Sequence, residues 1–163
     1  MPIIKVKNSD YSRPEQVSNL IKELFYDEHY HCMYGGSMIL TGYPPCVYNQ
    51  MMDIWKQHGQ PDGDLVEHII ISLSDEERTY IDANLLYLIA VKISESLFGF
   101  QTLFVIHSDA DNPHFHLVIN RSSFLDENKL QLNIPYFAEC IERTFDEFIS
   151  YSIILNKSLK HMS

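Results

Sequence analysis

The chain has 163 residues, 45% of them hydrophobic, which is enough to bury the core of a domain of ordinary size. Its 12 Lys and Arg residues stand against 22 Asp and Glu, and the formal net charge of −10 argues against binding nucleic acid through overall charge alone. No segment reaches the length of a membrane span, and the N-terminal residues do not form a signal peptide. Cys32, Cys46 and Cys140 are widely spaced and are interpreted as free thiols in a reducing cytoplasm, so we expect a cytoplasmic protein.

Hydrophobic periodicity predicts alternating strands and helices in the first half of the chain. The expected order is a strand over 3–7, a helix from about residue 12 to Tyr26 or Tyr30, a strand over 37–41, a helix over 46–58 and a strand over 65–73. We expect Gly35 and Gly36 to break the chain before the second strand.

The second half begins with Ser74 to Glu77, which has the pattern of a capping box and is expected to start one long helix that ends at Gly99. A hairpin over 100–123, a short strand over 129–133, a helix over 135–154 and a frayed tail over 156–163 follow. This order predicts an α+β fold in a single domain over residues 1–155, with a central antiparallel β-sheet and helices packed mainly on one face.

Three histidines occupy related positions in the predicted hairpin. Side chains two residues apart on a strand point to the same face, so His114 and His116 project together. An antiparallel turn over 108–113 brings His107, at the end of the preceding strand, to the same point. A surface hairpin with three unrelated histidines is the simpler interpretation, but it does not explain why all three lie opposite the bulky apolar face.

Three imidazoles with no fourth protein ligand describe a metal site with open coordination positions. The carboxylates of Asp109 and Asp111, in the turn, could orient the ligands through hydrogen bonds to imidazole N–H groups. The three-imidazole set by itself favours zinc. The sequence therefore predicts chemistry on a group that the metal holds.

These residues resemble a known family. The pattern His-x-Asp-x4-His-x-His, from His107 to His116, followed by Ile119-Asn120, is similar to the three-histidine motif of the relaxase/mobilisation nucleases of the HUH endonuclease superfamily. The strand beginning at His68, with the acidic helix start after it, resembles the segment that precedes this motif in the family. The resemblance covers roughly residues 20–133.

The resemblance implies an HUH relaxase-like sandwich and a metal-dependent endonuclease that nicks single-stranded DNA at a transfer origin during plasmid or conjugative mobilisation. It also implies Mn²⁺ or Mg²⁺ as cofactor, a covalent 5′-phosphotyrosyl intermediate, and accessory relaxosome proteins and a coupling protein as partners. His68 would lie beside the metal ligands, as would Asp109. No membrane association is implied.

The family's nucleophile is a tyrosine at the end of the first helix, shortly before a Gly-Gly segment. Tyr26 fits this description best and Tyr30 is the second choice; Tyr34 and the more remote Tyr11 are further candidates. The lysine that often follows the family's tyrosine is absent, and His29 in that stretch is an alternative nucleophile. Phe115 and Tyr34 are candidates for stacking on DNA bases.

Two other functions remain open at this point. The first is a three-histidine zinc hydrolase that uses a metal-bound hydroxide and no covalent tyrosine chemistry. The second is a catalytically weak relaxase-like module that binds DNA or a partner protein, which the acidic composition favours.

Overall fold

The computed structural model describes residues 1–25, 32–108 and 111–162 of the chain. Its strands form an antiparallel sheet with the order β1-β3-β5-β4-β2. The bounds of the strands are β1 (Ile3–Val6), β2 (Cys32–Ser37), β3 (Val66–Ser72), β4 (Thr102–His107) and β5 (His114–Asn120). The last strand in the sequence, β5, therefore lies at the centre of the sheet, between β3 and β4.

The helices of the described residues are α1 (Pro14–Phe25), α2 (Pro44–Gln57), α3 (Asp75–Arg78), α4 (Ala83–Glu95) and α5 (Ile134–Met162). None of these helices combines the length and the hydropathy needed to cross a membrane. Prolines occupy the start of α2, where a missing backbone N–H costs nothing.

Both faces of the sheet are covered by helices. On one face, Phe104, Phe115 and Leu117 pack with apolar side chains of α4 and α5. On the other face, Leu103 and Val118 pack under α1 and α2. The α+β class and the antiparallel sheet are confirmed, but the helices are not mainly on one face, because β4 and β5 are buried on both sides.

The second strand differs from the sequence prediction. Gly35 and Gly36 do not break the chain; they lie inside β2, opposite Phe104 and Leu103 of β4. A Cβ atom on Gly35 would lie 2.5 Å from Cζ of Phe104, and one on Gly36 would lie 2.6 Å from the carbonyl oxygen of Thr102. The glycines allow β2 to approach β4 closely. Amino-acid composition alone does not indicate such a contact.

We therefore expect Gly36→Ala to destabilise the fold by about 1–3 kcal/mol, since the added methyl group meets backbone that cannot move freely. Gly42→Ala is the matched control, because a Cβ there has no neighbour within 4 Å. Urea denaturation of both variants measures the difference in the free energy of unfolding. Equal stability of the two variants would contradict the close packing of β2 on β4.

Three other segments differ from prediction. The capping box at Ser74 is present, but α3 is a single turn, and Asp82 caps a separate helix, α4, that ends at Glu95. The segment 129–133 forms only an isolated bridge between Ser122 and Lys129. The expected frayed tail is helical as far as Met162, as an exposed continuation of α5.

Candidate metal centre and active site

The three histidines of the hairpin meet on the face of the sheet that α1 and α2 cover. His107 and His114 are directly opposite each other in the β4–β5 ladder, and His116 follows two residues later on the same face. The centroids of the three rings are 4.8 to 5.1 Å apart. One ligand nitrogen from each ring lies within 4.8 Å of the others, so the group could hold a metal ion.

Each ring has its second nitrogen occupied by a protein group. Nε2 of His107 donates to the carbonyl oxygen of Leu24 at 3.2 Å, and Nδ1 of His114 donates to that of Asn112 at 2.8 Å. Nδ1 of His116 lies 2.9 Å from Nε2 of His68. These bonds orient the imidazoles and, for the first two rings, fix which nitrogen carries the proton.

The nitrogens that face inward fit a cation. Nδ1 of His107 and Nε2 of His114 lie 3.2 Å apart, and in neutral rings with the bonds just described both carry a lone pair. Two facing lone pairs repel unless a positive group lies between them. Two imidazole nitrogens on one tetrahedral zinc ion are separated by about 3.3 Å, given bonds of about 2.0–2.1 Å. The donor set therefore matches a divalent ion held by His107, His114 and His116.

Burial favours the neutral form of His68, His114 and His116. It lowers the pKa of His116 to about 2, with the neighbouring histidines adding to the effect, and it lowers the pKa of His68 to about 4, helped by the charge of Lys7. Burial also lowers the pKa of His114, although the hydrogen bond to Asn112 opposes it. Neutral imidazoles are the form that binds metal, so these rings need not lose a proton at neutral pH.

The other sequence candidates are distributed as follows. His68 is buried and lies on β3, diagonally across from His116. Asp111 is exposed. Tyr26, His29, Tyr30 and Asp109 lie outside the described residues.

The two proposed stacking residues have different surroundings. Phe115 is fully buried in the core on the opposite face from the histidines, so its expected stacking on DNA bases is wrong. Its neighbours on β5 alternate direction, and this places it away from the site. Tyr34 is 38% exposed, and its ring packs edge-on against Phe25 with the centroids 4.9 Å apart.

The sequence did not indicate that Tyr11 is a hydrogen-bond partner of His68. The hydroxyl of Tyr11, which was considered only as a remote nucleophile, lies 2.9 Å from Nδ1 of His68. The two residues are 57 positions apart, and no local pattern connects them.

The motif residue Asn120 holds the far end of the hairpin. Its Oδ1 accepts from Nε1 of Trp55 at 2.9 Å and from the amide of Ser122 at 3.0 Å, and its Nδ2 donates to Oε1 of Gln101 at 2.9 Å. Asn120 is completely buried. The side chain thus ties α2 and the chain after β5 to the strand that carries the ligands.

We expect Asn120→Leu to lower the free energy of unfolding by at least about 3 kcal/mol, since the loss of this amide leaves three buried partners unpaired at about 1–3 kcal/mol each. Asn84→Leu, at an exposed position in α4, should change it by less than about 0.5 kcal/mol. Thermal or urea unfolding measures both. A similar, small effect of the two substitutions would show that the buried network does not stabilise the hairpin.

A family model of the MobA/VirD2-like relaxase nuclease domain matches residues 27–148. The chain therefore belongs to this relaxase family, and the sequence-based identification is confirmed. A structure solved for the molecular basis of vancomycin resistance transfer in Staphylococcus aureus superposes with a TM-score of 0.59. The match covers 96% of this chain and 94% of that one at 16% identity, a likeness that shows the shared fold. A search of curated proteins found no match.

Proposed function

We propose that this protein is a relaxase that nicks single-stranded DNA at a transfer origin, through a covalent 5′-phosphotyrosyl intermediate, and so serves the mobilisation of a plasmid or conjugative element. The observation that carries the proposal is the cluster formed by His107, His114 and His116, in a chain of the relaxase nuclease family. We place the reaction in the cytoplasm, which agrees with the free thiols of Cys46 and Cys140.

The histidines would hold a divalent ion. We propose Mn²⁺ or Mg²⁺, which membership of the family favours, with Zn²⁺ as the alternative that three imidazole ligands favour. Such an ion would polarise the scissile phosphate and offset the charge that develops on its oxygens. The chain's own contribution is to orient the rings through their outer nitrogens. Burial of the site then excludes part of the water that would compete for the phosphate.

We propose Tyr26 as the nucleophile. The carbonyl of Leu24, near the end of α1, accepts from His107, so this helix end lies against the metal site. Residue 26 is two positions further along, and two residues span at most about 7 Å. Tyr30 is six positions from Leu24 and remains the second choice. Tyr11 is not suited to attack a large substrate, because its ring is buried beneath the helices.

In the proposed step, the phenolic oxygen of Tyr26 forms a bond to phosphorus and the bond from phosphorus to the upstream 3′-oxygen breaks. A phenol has an ordinary pKa of about 10. Its proton must therefore pass to a nearby base, or the positive charge of the metal must lower the pKa of the phenol. The departing 3′-oxygen takes up a proton and becomes a free hydroxyl. Because the phosphotyrosine conserves the energy of the ester bond, a 3′-hydroxyl can attack it and reseal the strand.

The acidic composition is compatible with DNA binding if basic groups lie near the site. Lys5 is opposite Ile70 and therefore shares the histidine face of the sheet, and the amide of Lys7 is bonded to the carbonyl of His68. Acidic residues of α5 such as Glu142 belong to a helix that packs on the other face. We propose that the β1 edge, with Lys5 and Lys7, contacts the phosphates of the substrate strand.

We accordingly expect Lys7→Gln to weaken the binding of single-stranded DNA and to reduce the salt dependence of log K by about 0.7, the value for one phosphate contact on a single strand. Lys157→Gln, on the exposed end of α5, is the matched charge control and should leave the slope unchanged. Fluorescence anisotropy titrations at several salt concentrations measure both. An equal effect of the two substitutions would contradict a contact at the β1 edge.

The proposed function is tested with labelled oligonucleotides that carry the transfer origin of the element encoding the protein. Incubation with Mn²⁺ should cleave the strand and leave part of the DNA attached to the protein after denaturation. Chelation of the metal should prevent both. Adding an oligonucleotide with a free 3′-hydroxyl should release the attached fragment as a joined strand.

Other outcomes would favour the alternative functions. Cleavage without any attached DNA would indicate a zinc hydrolase that uses water as nucleophile. Binding of the oligonucleotide without cleavage under Mn²⁺, Mg²⁺ or Zn²⁺ would indicate a binding module. Either result would overturn the proposed covalent mechanism.

A further inference from the structure

A buried chain of hydrogen bonds leads away from the metal site to the N-terminal segment. Nδ1 of His116 lies 2.9 Å from Nε2 of His68, and Nδ1 of His68 lies 2.9 Å from the hydroxyl oxygen of Tyr11. Tyr11, His68 and His116 are 7%, 4% and 9% exposed, so water reaches these bonds only poorly. The rings of His68 and His116 are stacked with the centroids 5.1 Å apart.

Neighbouring residues hold both the backbone and the ring of Tyr11. Its backbone amide donates to Oδ1 of Asp64 at 3.1 Å, and its carbonyl accepts from the amide of Leu65 at 2.9 Å. These contacts attach Tyr11 to the residues that lead into β3, the strand that carries His68. Its ring also meets that of His68 edge-on, with the centroids 5.9 Å apart. The hydroxyl is therefore held at a defined position relative to the imidazole.

The chain of bonds can carry its protons in two arrangements. In the first, His116 donates from Nδ1 to His68, and His68 donates from its own Nδ1 to the oxygen of Tyr11; Nε2 of His116 then has a lone pair. In the second, Tyr11 donates to His68, His68 donates from Nε2 to His116, and the proton of His116 lies on Nε2. Only the first arrangement leaves His116 able to bind a metal through Nε2.

We propose that Tyr11 is a positioning residue for the metal centre: when His116 binds metal through Nε2, its Nδ1–H donates to His68, and the hydroxyl of Tyr11 accepts the hydrogen bond that His68 donates in turn. The inference rests on the proposed metal-dependent function, but it concerns metal binding and not the nicking step. The inference assigns a role to the segment before α1. That segment lies outside the histidine motif.

The variant Tyr11→Phe tests the inference because it retains the buried ring and removes only the hydroxyl. Isothermal titration with Mn²⁺ alone should show binding weakened by about tenfold, the lower end of the effect of losing a group that supports a ligand. In His68→Leu, which removes the whole connection, we expect a loss nearer about 100-fold. Adding Tyr11→Phe to His68→Leu should then have little further effect, since the hydroxyl no longer has a path to His116.

Tyr48→Phe is the matched control, because Tyr48 packs at the margin of the same core and pairs with Trp55. It should leave the affinity for Mn²⁺ unchanged. Proton and nitrogen-15 spectra of the histidines in the Zn²⁺-loaded protein add a readout that a merely structural role would not alter. They should show the Nδ1–H of His68 in a hydrogen bond in the wild type, and this signal should shift in Tyr11→Phe because its acceptor is gone.

Unchanged affinity for Mn²⁺ in Tyr11→Phe, or an unchanged Nδ1–H signal of His68, would overturn the inference. So would equal losses in Tyr11→Phe and Tyr48→Phe. If the wild type binds Mn²⁺ and the variants behave as expected but no DNA is cleaved, the positioning role stands and the proposed nicking function fails. The two claims are therefore separable in one set of proteins.

Discussion

Replacing His116 with alanine is expected to weaken metal binding and to slow nicking, each by at least about 100-fold. The substitution removes one of three ligands and leaves His68 without its partner in a buried site. The loss of a group that only supports a ligand costs about 10–100-fold in metal affinity, so the loss of the ligand itself should cost at least about 100-fold. The rate of nicking should fall by about 10²–10³-fold or more, the usual cost of losing an electrostatic stabiliser.

His161→Ala is the control for this experiment, because His161 is exposed near the end of α5 and away from the cluster. Mn²⁺ titration and the oligonucleotide assay measure the two effects separately. If His116→Ala retained the affinity of the wild type for Mn²⁺, the ion would have to bind elsewhere, and the metal centre described above would be wrong.

Replacing Tyr26 with phenylalanine is expected to eliminate the covalent protein–DNA adduct while leaving Mn²⁺ binding intact. The phenol supplies the only atom of the protein that joins phosphorus in the proposed step. Removing a nucleophile from a working site commonly costs several orders of magnitude, so the nicking rate should fall by at least about 10³-fold. The adduct is measured on denaturing gels with a labelled oligonucleotide.

Tyr30→Phe is the matched control, with the same change of side chain four residues further along. It should nick at a rate close to that of the wild type. Loss of the adduct in Tyr30→Phe together with its retention in Tyr26→Phe would move the nucleophile to Tyr30. Retention in both variants and loss in His29→Ala would move it to the histidine.

The histidine hairpin could be predicted from sequence because its signal is local. An alternating apolar pattern fixes which side chains of a strand share a face, and the turn between β4 and β5 is short. The pairing of His107 with His114 then follows from the register of a hairpin. The family motif adds the identity of the residues, and the structure brings them together as the motif implies.

The second strand could not be predicted, because its glycines serve a contact with a strand distant in sequence. Gly35 and Gly36 are ordinary chain breakers when only neighbours along the chain are considered. Their place in β2 is explained by Phe104 and Thr102 of β4, almost 70 residues later in the chain. The division between α3 and α4 could not be predicted either. Ser74 has a recognisable capping pattern, but the apolar residues continue at helical spacing past Asp82, so the sequence predicted one helix where the structure has two.

The connection from Tyr11 to His116 shows the same limit at the site itself. Each residue alone has an unremarkable context, and the partnership arises only when β3 pairs with β5 and the segment before α1 lies against the start of β3. Sequence reasoning placed His68 near the ligands through the family resemblance. It had no means of finding the hydroxyl on the other side of that ring.

The most direct test of the account is to identify the residue that carries DNA after reaction with a transfer-origin oligonucleotide and Mn²⁺. Peptide mass spectrometry of the denatured, digested adduct should find a 5′-linked nucleotide on the peptide that contains Tyr26, and only when metal was present. Cleaved DNA with no modified peptide, or a nucleotide attached to a residue far from the end of α1, would contradict the proposed mechanism.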